Sequence, residues 1–231
     1  MATRRRLDLA TFDGRLFDGL SFCRMVYAFF DQIKGSPDGI ERLRLLKTKQ
    51  EKRLVEELLP IAQYIQARYN AGRRLRIRWY AGSQQYDGVL LSSGLRVEAG
   101  LFPRRSLLEV TTAIHPKEHL VRELVNAGEV SFGVRGVSRD KKTKKIISET
   151  HVHHEGEIAS DLADQILERL RDKGKKGYSS ETVLVINCVT NTLTHEPEWQ
   201  GAIKEVRKAG LHSGFREVFL VEGRASRTLT L

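Results

Sequence analysis

The chain has 231 residues, 39 Lys and Arg against 29 Asp and Glu, and a formal charge of +10 with 40% apolar residues. That length suits one large domain or a domain with substantial embellishments, and the longest apolar runs fall far short of the roughly 20 residues of a membrane span. Cys23 and Cys188 are too few for a disulfide framework or a cysteine-rich zinc site, so the expected setting is a reducing cytoplasm, with no membrane partner. The positive excess points to a polyanion such as nucleic acid, with a merely basic soluble enzyme as the alternative.

Residues 1–39 are expected to form a helical extension packed on the body. Asp8, Asp13 and Asp18 interrupt the basic start and argue against a transit peptide, and the apolar stretch 20–30 predicts a short helix. After the turn residues 35–39, apolar residues at helical spacing predict a long helix to about residue 70, bent or divided at Pro60. From 73 to 80 the period changes to two. Leu75, Ile77 and Trp79 alternate with Arg74, Arg76 and Arg78, which predicts a half-buried strand with an arginine outer face.

Strands follow at 86–91 and 107–113, then a helix at 117–127 and a long hairpin at 129–153 whose tip is 140–145. A clear amphipathic helix runs from Glu157 to about Lys173, an almost wholly apolar strand occupies 182–189, and a helix from about 198 to 209 precedes a strand at 217–221. The expected class is α/β, with a mixed central sheet flanked by helices. Residues 40–231 would form the main domain, with an insertion at about 115–156 carrying the extra helix and the basic hairpin.

Asp87 and Glu109 stand inside otherwise apolar strands, where a charge is costly unless it is compensated. Either acid alone could pair with an arginine or cap a loop. Together, on adjacent strands, they could converge on a divalent cation, because hard oxygen donors suit Mg²⁺. Glu98 competes with Glu109 for the second position, and Glu56 and Glu57 on the long helix are supplementary acids.

The order helix, three strands, helix, strand, with Asp87 on the second strand and Glu109 on the third, resembles the αβββαβ core of the PD-(D/E)XK nuclease superfamily, the restriction-endonuclease-like fold. The resemblance covers about residues 41–190. It implies Asp87, Glu109 and the Val110 main-chain carbonyl as ligands of Mg²⁺ or Mn²⁺, and hydrolysis of phosphodiesters, DNA above all, in restriction, defence or repair. The family's lysine two residues past the second acid is Thr111 here. Either a lysine arrives from elsewhere, with Lys117 the nearest in sequence, or the chain is an inactive nuclease-like module that binds nucleic acid or a protein.

Arg74, Arg76 and Arg78, with Arg135, Arg139, Lys141, Lys142, Lys144 and Lys145 on the hairpin, are the candidate phosphate contacts. A homodimer, or assembly as a partner subunit of a larger system, is compatible with this reading. His115 with His119, and His151, His153 and His154, have spacings that a transition metal could use, but HExxH, GxxxxGK[ST] and GxGxxG are absent.

Overall fold

The computed structural model describes residues 8–82, 84–131, 133–152, 154, 156–190, 195–210, 214–223 and 227–231. Its frame is a mixed seven-stranded sheet. In spatial order the strands are β1 (Leu16–Asp18), β2 (Arg74–Trp79), β3 (Gly88–Ser93), β4 (Arg105–Ala113), β7 (Thr182–Cys188), β8 (Glu217–Glu222) and β9 (Arg227–Thr230). The first four are mutually antiparallel, β4, β7 and β8 run parallel, and β9 returns antiparallel. A separate hairpin pairs β5 (Val137–Arg139) with β6 (Ile146–Ser148).

One face of the sheet is covered by α1 (Gly19–Lys34) and α4 (Leu59–Arg68). Phe22, Val26, Leu58, Ile61 and Ile65 meet Leu75, Ile77, Leu108, Val110, Val183 and Val185 there. On the other face α7 (Glu157–Gly174) and α8 (Glu196–Ala209) pack Leu162, Ile166, Leu170, Trp199 and Ile203 against Ala113, Leu184, Ile186 and Leu220. β7 therefore has apolar neighbours above and below, and all seven of its residues are buried. Among the described residues the apolar cluster of the second helix pair meets β4, β7, β8 and β9, and Arg74, Arg76 and Arg78 of β2 stand exposed beyond it.

Residues 8–39 are woven into this frame. β1 pairs with β2, and Phe12 packs its ring within 5.8 Å of Phe17, 5.5 Å of Phe22 and 5.4 Å of Phe29. The segment thus supplies a sheet strand as well as the expected helix. Asp18 starts α1 by accepting hydrogen bonds from the Leu20 and Ser21 amides.

The helix expected over 40–70 is divided earlier than Pro60. α2 (Gly39–Leu45) stops at Leu46, which adopts a left-handed backbone with φ 47°, and α3 (Lys49–Arg53) restarts at Thr48. Thr48 and Glu51 form a reciprocal capping box, and buried Glu51 also accepts from Arg42 at 2.7 Å. A π-helical turn, Leu54–Leu58, then joins α3 to α4, with the Leu59 amide donating to the Leu54 carbonyl. Pro60 has no amide to continue the ordinary ladder, so the wider turn falls just before it. Thr48→Ala is expected to cost about 1 kcal/mol of stability in chemical denaturation, because it removes one half of the capping box. An unchanged midpoint would mean that the box contributes nothing.

Between β3 and β4 lies a short helix, α5 (Leu95–Glu98), and α6 (Glu118–Asn126) follows β4. The hairpin expected over 129–153 is paired only over its central residues, with its turn at 140–145. No described helix is long and apolar enough to cross a membrane.

Candidate functional site

The site begins where β3 enters the sheet. Gly88 pairs with Leu108 in the ladder, while the Asp87 amide also donates to the Leu108 carbonyl at 2.8 Å. Two successive residues therefore oppose one, which is the arrangement of a β-bulge and re-aims the side chain beside it. The Asp87 carboxylate turns onto β4 and accepts the Val110 amide at 2.7 Å, and its carbonyl accepts the Tyr80 amide at 2.9 Å. Because lateral direction alternates along a strand, the Val110 carbonyl is directed toward the same side as its amide. Burial, reinforced by the neighbouring Glu109 charge, pushes Asp87 up to about 7.

Glu109, in the middle of β4, is only 6% exposed. Its Oε1 accepts the Lys173 ammonium and, at 2.9 Å, the Tyr178 hydroxyl. Burial and the bond to Glu109 hold the Tyr178 phenol well above its ordinary range. The apolar face of α7 runs through Leu162, Ile166 and Leu170, and Lys173 continues that period one turn further. The helix therefore delivers Lys173 to the sheet, and the following loop delivers Tyr178.

Neither Lys173 nor Tyr178 is among the sequence candidates. The signal that could find Lys173 is its place in the inward period of α7, which reads at first as a solvated last-turn lysine. Lys117, the sequence candidate for the missing ammonium, instead sits at the N-terminus of α6, past the C-terminal end of β4, where its amide donates to His115 Nδ1 at 3.1 Å. The cation that meets Glu109 is Lys173. Thr111 lies two residues past Glu109 in β4 and pairs with Ile186 of β7.

The other acids separate. Glu57, in the π turn, is close enough for its charge to raise Asp87, and burial raises Glu57 itself. The buried Trp79 indole nitrogen lacks a hydrogen bond of normal geometry, yet its dipole favours the charged form of Glu57. Arg53 spans the same corner, its guanidinium 5.7 Å from the Trp79 ring centre and bonded to the Ala81 carbonyl. Glu56 lines a different hollow with His115, Glu118 and Arg122. Glu98 is exposed in α5, which follows the opposite end of β3 from Asp87, and so falls away from the pair.

Two of the hairpin cations are answered locally. Arg135 pairs with Asp161 at 2.5 Å and with Glu157, and Arg139 pairs with Glu123 at 2.6 Å. These contacts tie the hairpin to α6 and α7, which reduces both residues as phosphate contacts. Lys141, Lys142, Lys144 and Lys145 are exposed and make no ion pair among the described residues. Among the described residues the histidine spacings do not produce a metal site. His119 Nδ1 lies 3.0 Å from the Pro116 carbonyl, His151 lies 3.5 Å from Glu157, and His153 is outside the described residues.

Comparison with known proteins returns no match to a family model, a curated protein or a solved structure.

Among the described residues no three His, Cys, Asp or Glu side chains are grouped to hold a metal ion. The oxygen donors here are the carboxylates of Asp87 and Glu109 and, on the strand beside Asp87, the Val110 carbonyl. Mg²⁺ takes one or two carboxylates and keeps several waters, so this donor set fits Mg²⁺ or Mn²⁺.

Proposed function

We propose that the protein is a metal-dependent nuclease of restriction-endonuclease-like fold that hydrolyses phosphodiesters, with DNA as the first substrate to test. The observation that carries this reading is the half-buried Asp87 beside the buried Glu109, with the Lys173 ammonium bonded to Glu109. The order α4, β2, β3, β4, α7, β7 supports it, since it repeats the αβββαβ arrangement around an acid at the entry to the second strand and another on the third.

Asp87, Glu109 and the Val110 carbonyl would hold Mg²⁺ or Mn²⁺, which supplies a more acidic bound water and charge stabilisation for the leaving oxygen. Lys173 takes the part that Thr111 cannot. Its Nζ donates hydrogen bonds toward the place where negative charge develops on the phosphoryl oxygens, and orients the attacking water. Tyr178 donates to the same Glu109 oxygen as Lys173, and the arginines of β2 give the phosphate backbone a cationic bed.

The second reading is a nuclease-like module that binds without cutting. It is favoured by the same Lys173 contact, which by itself answers the Glu109 charge. Plasmid, linear duplex and single-stranded DNA and RNA, incubated with Mg²⁺ or Mn²⁺, separate the two. The nuclease reading expects cleavage that falls at least about 100-fold in Asp87→Ala and Glu109→Ala. Cleavage that persists in both variants overturns it, and no cleavage of any substrate selects the binding module.

A further inference from the structure

We propose that the helix-free part of the sheet is a track for one unpaired polynucleotide strand, leading its backbone to Asp87 and Glu109. This rests on the nuclease reading for what lies at the end of the track, but the track itself stands on strand register and charge.

The register of β1 to β4 lays the exposed side chains out as a grid. Arg78 stands across from Leu16 on β1 and Val89 on β3, and Val89 in turn from Leu107 on β4. One step along, Arg76 stands across from Asp18 and Leu91, and Leu91 from Arg105; beyond it Arg74 stands across from Ser93. The arginines of β2 thus form a single file with a repeat of about 7 Å, two residues of strand at a time. Beside that file Val89, Leu91 and Leu107 make a half-buried apolar row.

Three like charges in file repel unless something answers them. Among the described residues Arg74, Arg76, Arg78 and Arg105 make no ion pair. The acid beside Arg76 is Asp18, and its carboxylate is engaged with the Leu20 and Ser21 amides as the cap of α1. The file is thus open to a counter-charge of matching shape, a line of anions.

A single strand suits this surface better than a duplex. A duplex presents two lines of phosphates and buries its base faces, whereas the shelf offers one cation file flanked by apolar side chains. The shelf also ends in aromatics. Tyr80 continues β2 past Trp79 and pairs through its amide with Asp87, and its ring lies 5.9 Å from that of Tyr86 in an edge-to-face contact. Both rings are partly exposed beside the acid pair, where an unpaired base can stack on them.

The test is fluorescence anisotropy in EDTA, so that binding is read without cleavage, using a labelled single-stranded DNA, its RNA counterpart and the blunt duplex of the same sequence. The parent is expected to bind single strands, DNA or RNA, at least about tenfold more tightly than the duplex, and Tyr80→Ala to weaken single-strand binding by about tenfold. The triple variant Arg74→Gln, Arg76→Gln, Arg78→Gln should lower the slope of log affinity against log salt by about 2, at roughly 0.7 for each phosphate no longer neutralised. Arg→Lys at the three positions should restore most of the slope, and circular dichroism checks that each variant is folded. Duplex binding as tight as single-strand binding, or a folded triple Gln variant with unchanged affinity, overturns the proposal. Single-strand preference without cleavage of any substrate in Mg²⁺ leaves the track standing and ends the nuclease reading. Duplex cleavage without single-strand preference does the reverse.

Discussion

Asp87→Asn is expected to raise the melting temperature at pH 8 by about 6 °C or more, while removing any metal-dependent activity. The asparagine oxygen can still accept the Val110 amide, so the bulge keeps its hydrogen bond. What disappears is a charge held half-buried beside another. Burial first, and the Glu109 carboxylate second, raise the Asp87 carboxyl from its ordinary 3.8 to about 7 in the folded protein. Between those values the folded state keeps a proton that the unfolded chain releases. Stability is therefore fully present below about pH 4 and declines as pH rises toward 7, by an amount on the order of 3 kcal/mol. The gain from Asn should follow the same curve, vanishing near pH 3.5 and reaching its full size by pH 8. Equal melting temperatures at pH 8, or a gain independent of pH, would show that Asp87 carries no such cost.

Lys173→Met is expected to destabilise the fold by about 3 kcal/mol, because it leaves a buried carboxylate without its cation. The side chains of Lys173 and Glu109 are only 17% and 8% exposed, so water cannot readily take the place of the ammonium. The double variant Lys173→Met with Glu109→Gln removes both charges and should recover most of the loss. Urea denaturation of the four proteins gives the coupling energy directly. A single variant within about 0.5 kcal/mol of the parent would mean that the pair is not formed in solution. Cleavage should be absent from Lys173→Met even under conditions where circular dichroism shows it folded, which separates the role of the ammonium in stability from its role in the reaction.

Much of the frame is written in local pattern. β2 alternates because each second residue meets α1 and α4 while the others face outward, and the burial of Leu75, Ile77 and Trp79 at 0% follows from that alternation. The unbroken apolar run of β7 is legible for the opposite reason, since it is covered on both faces. β1 and β9 are not legible. Each has three or four residues and is stabilised by the edge it joins rather than by its own pattern. The division of the 40–70 helix likewise depends on Leu46, Thr48 and Pro60 acting in succession, of which only Pro60 gives an obvious signal.

At the site the two acids are legible as charges out of place in apolar strands, and they are the pair brought together. The ammonium is not. Lys117 is nearer to Glu109 along the chain, but β4 carries it away from the bulge, whereas α7 folds back across the sheet and brings Lys173 from 64 residues further on. Nor does sequence order distinguish cations that are answered, such as Arg135 and Arg139, from cations that are not, such as Arg76. That difference depends on which acids the fold places beside them.

Everything proposed for the site depends on Asp87 and Glu109 holding a divalent cation, and Mn²⁺ titration followed by electron paramagnetic resonance measures that binding itself. The parent should bind Mn²⁺ at a site from which Mg²⁺ displaces it, and folded Asp87→Asn and Glu109→Gln variants should lose that binding. Absence of bound Mn²⁺ in the parent, or binding unchanged in both variants, would contradict it.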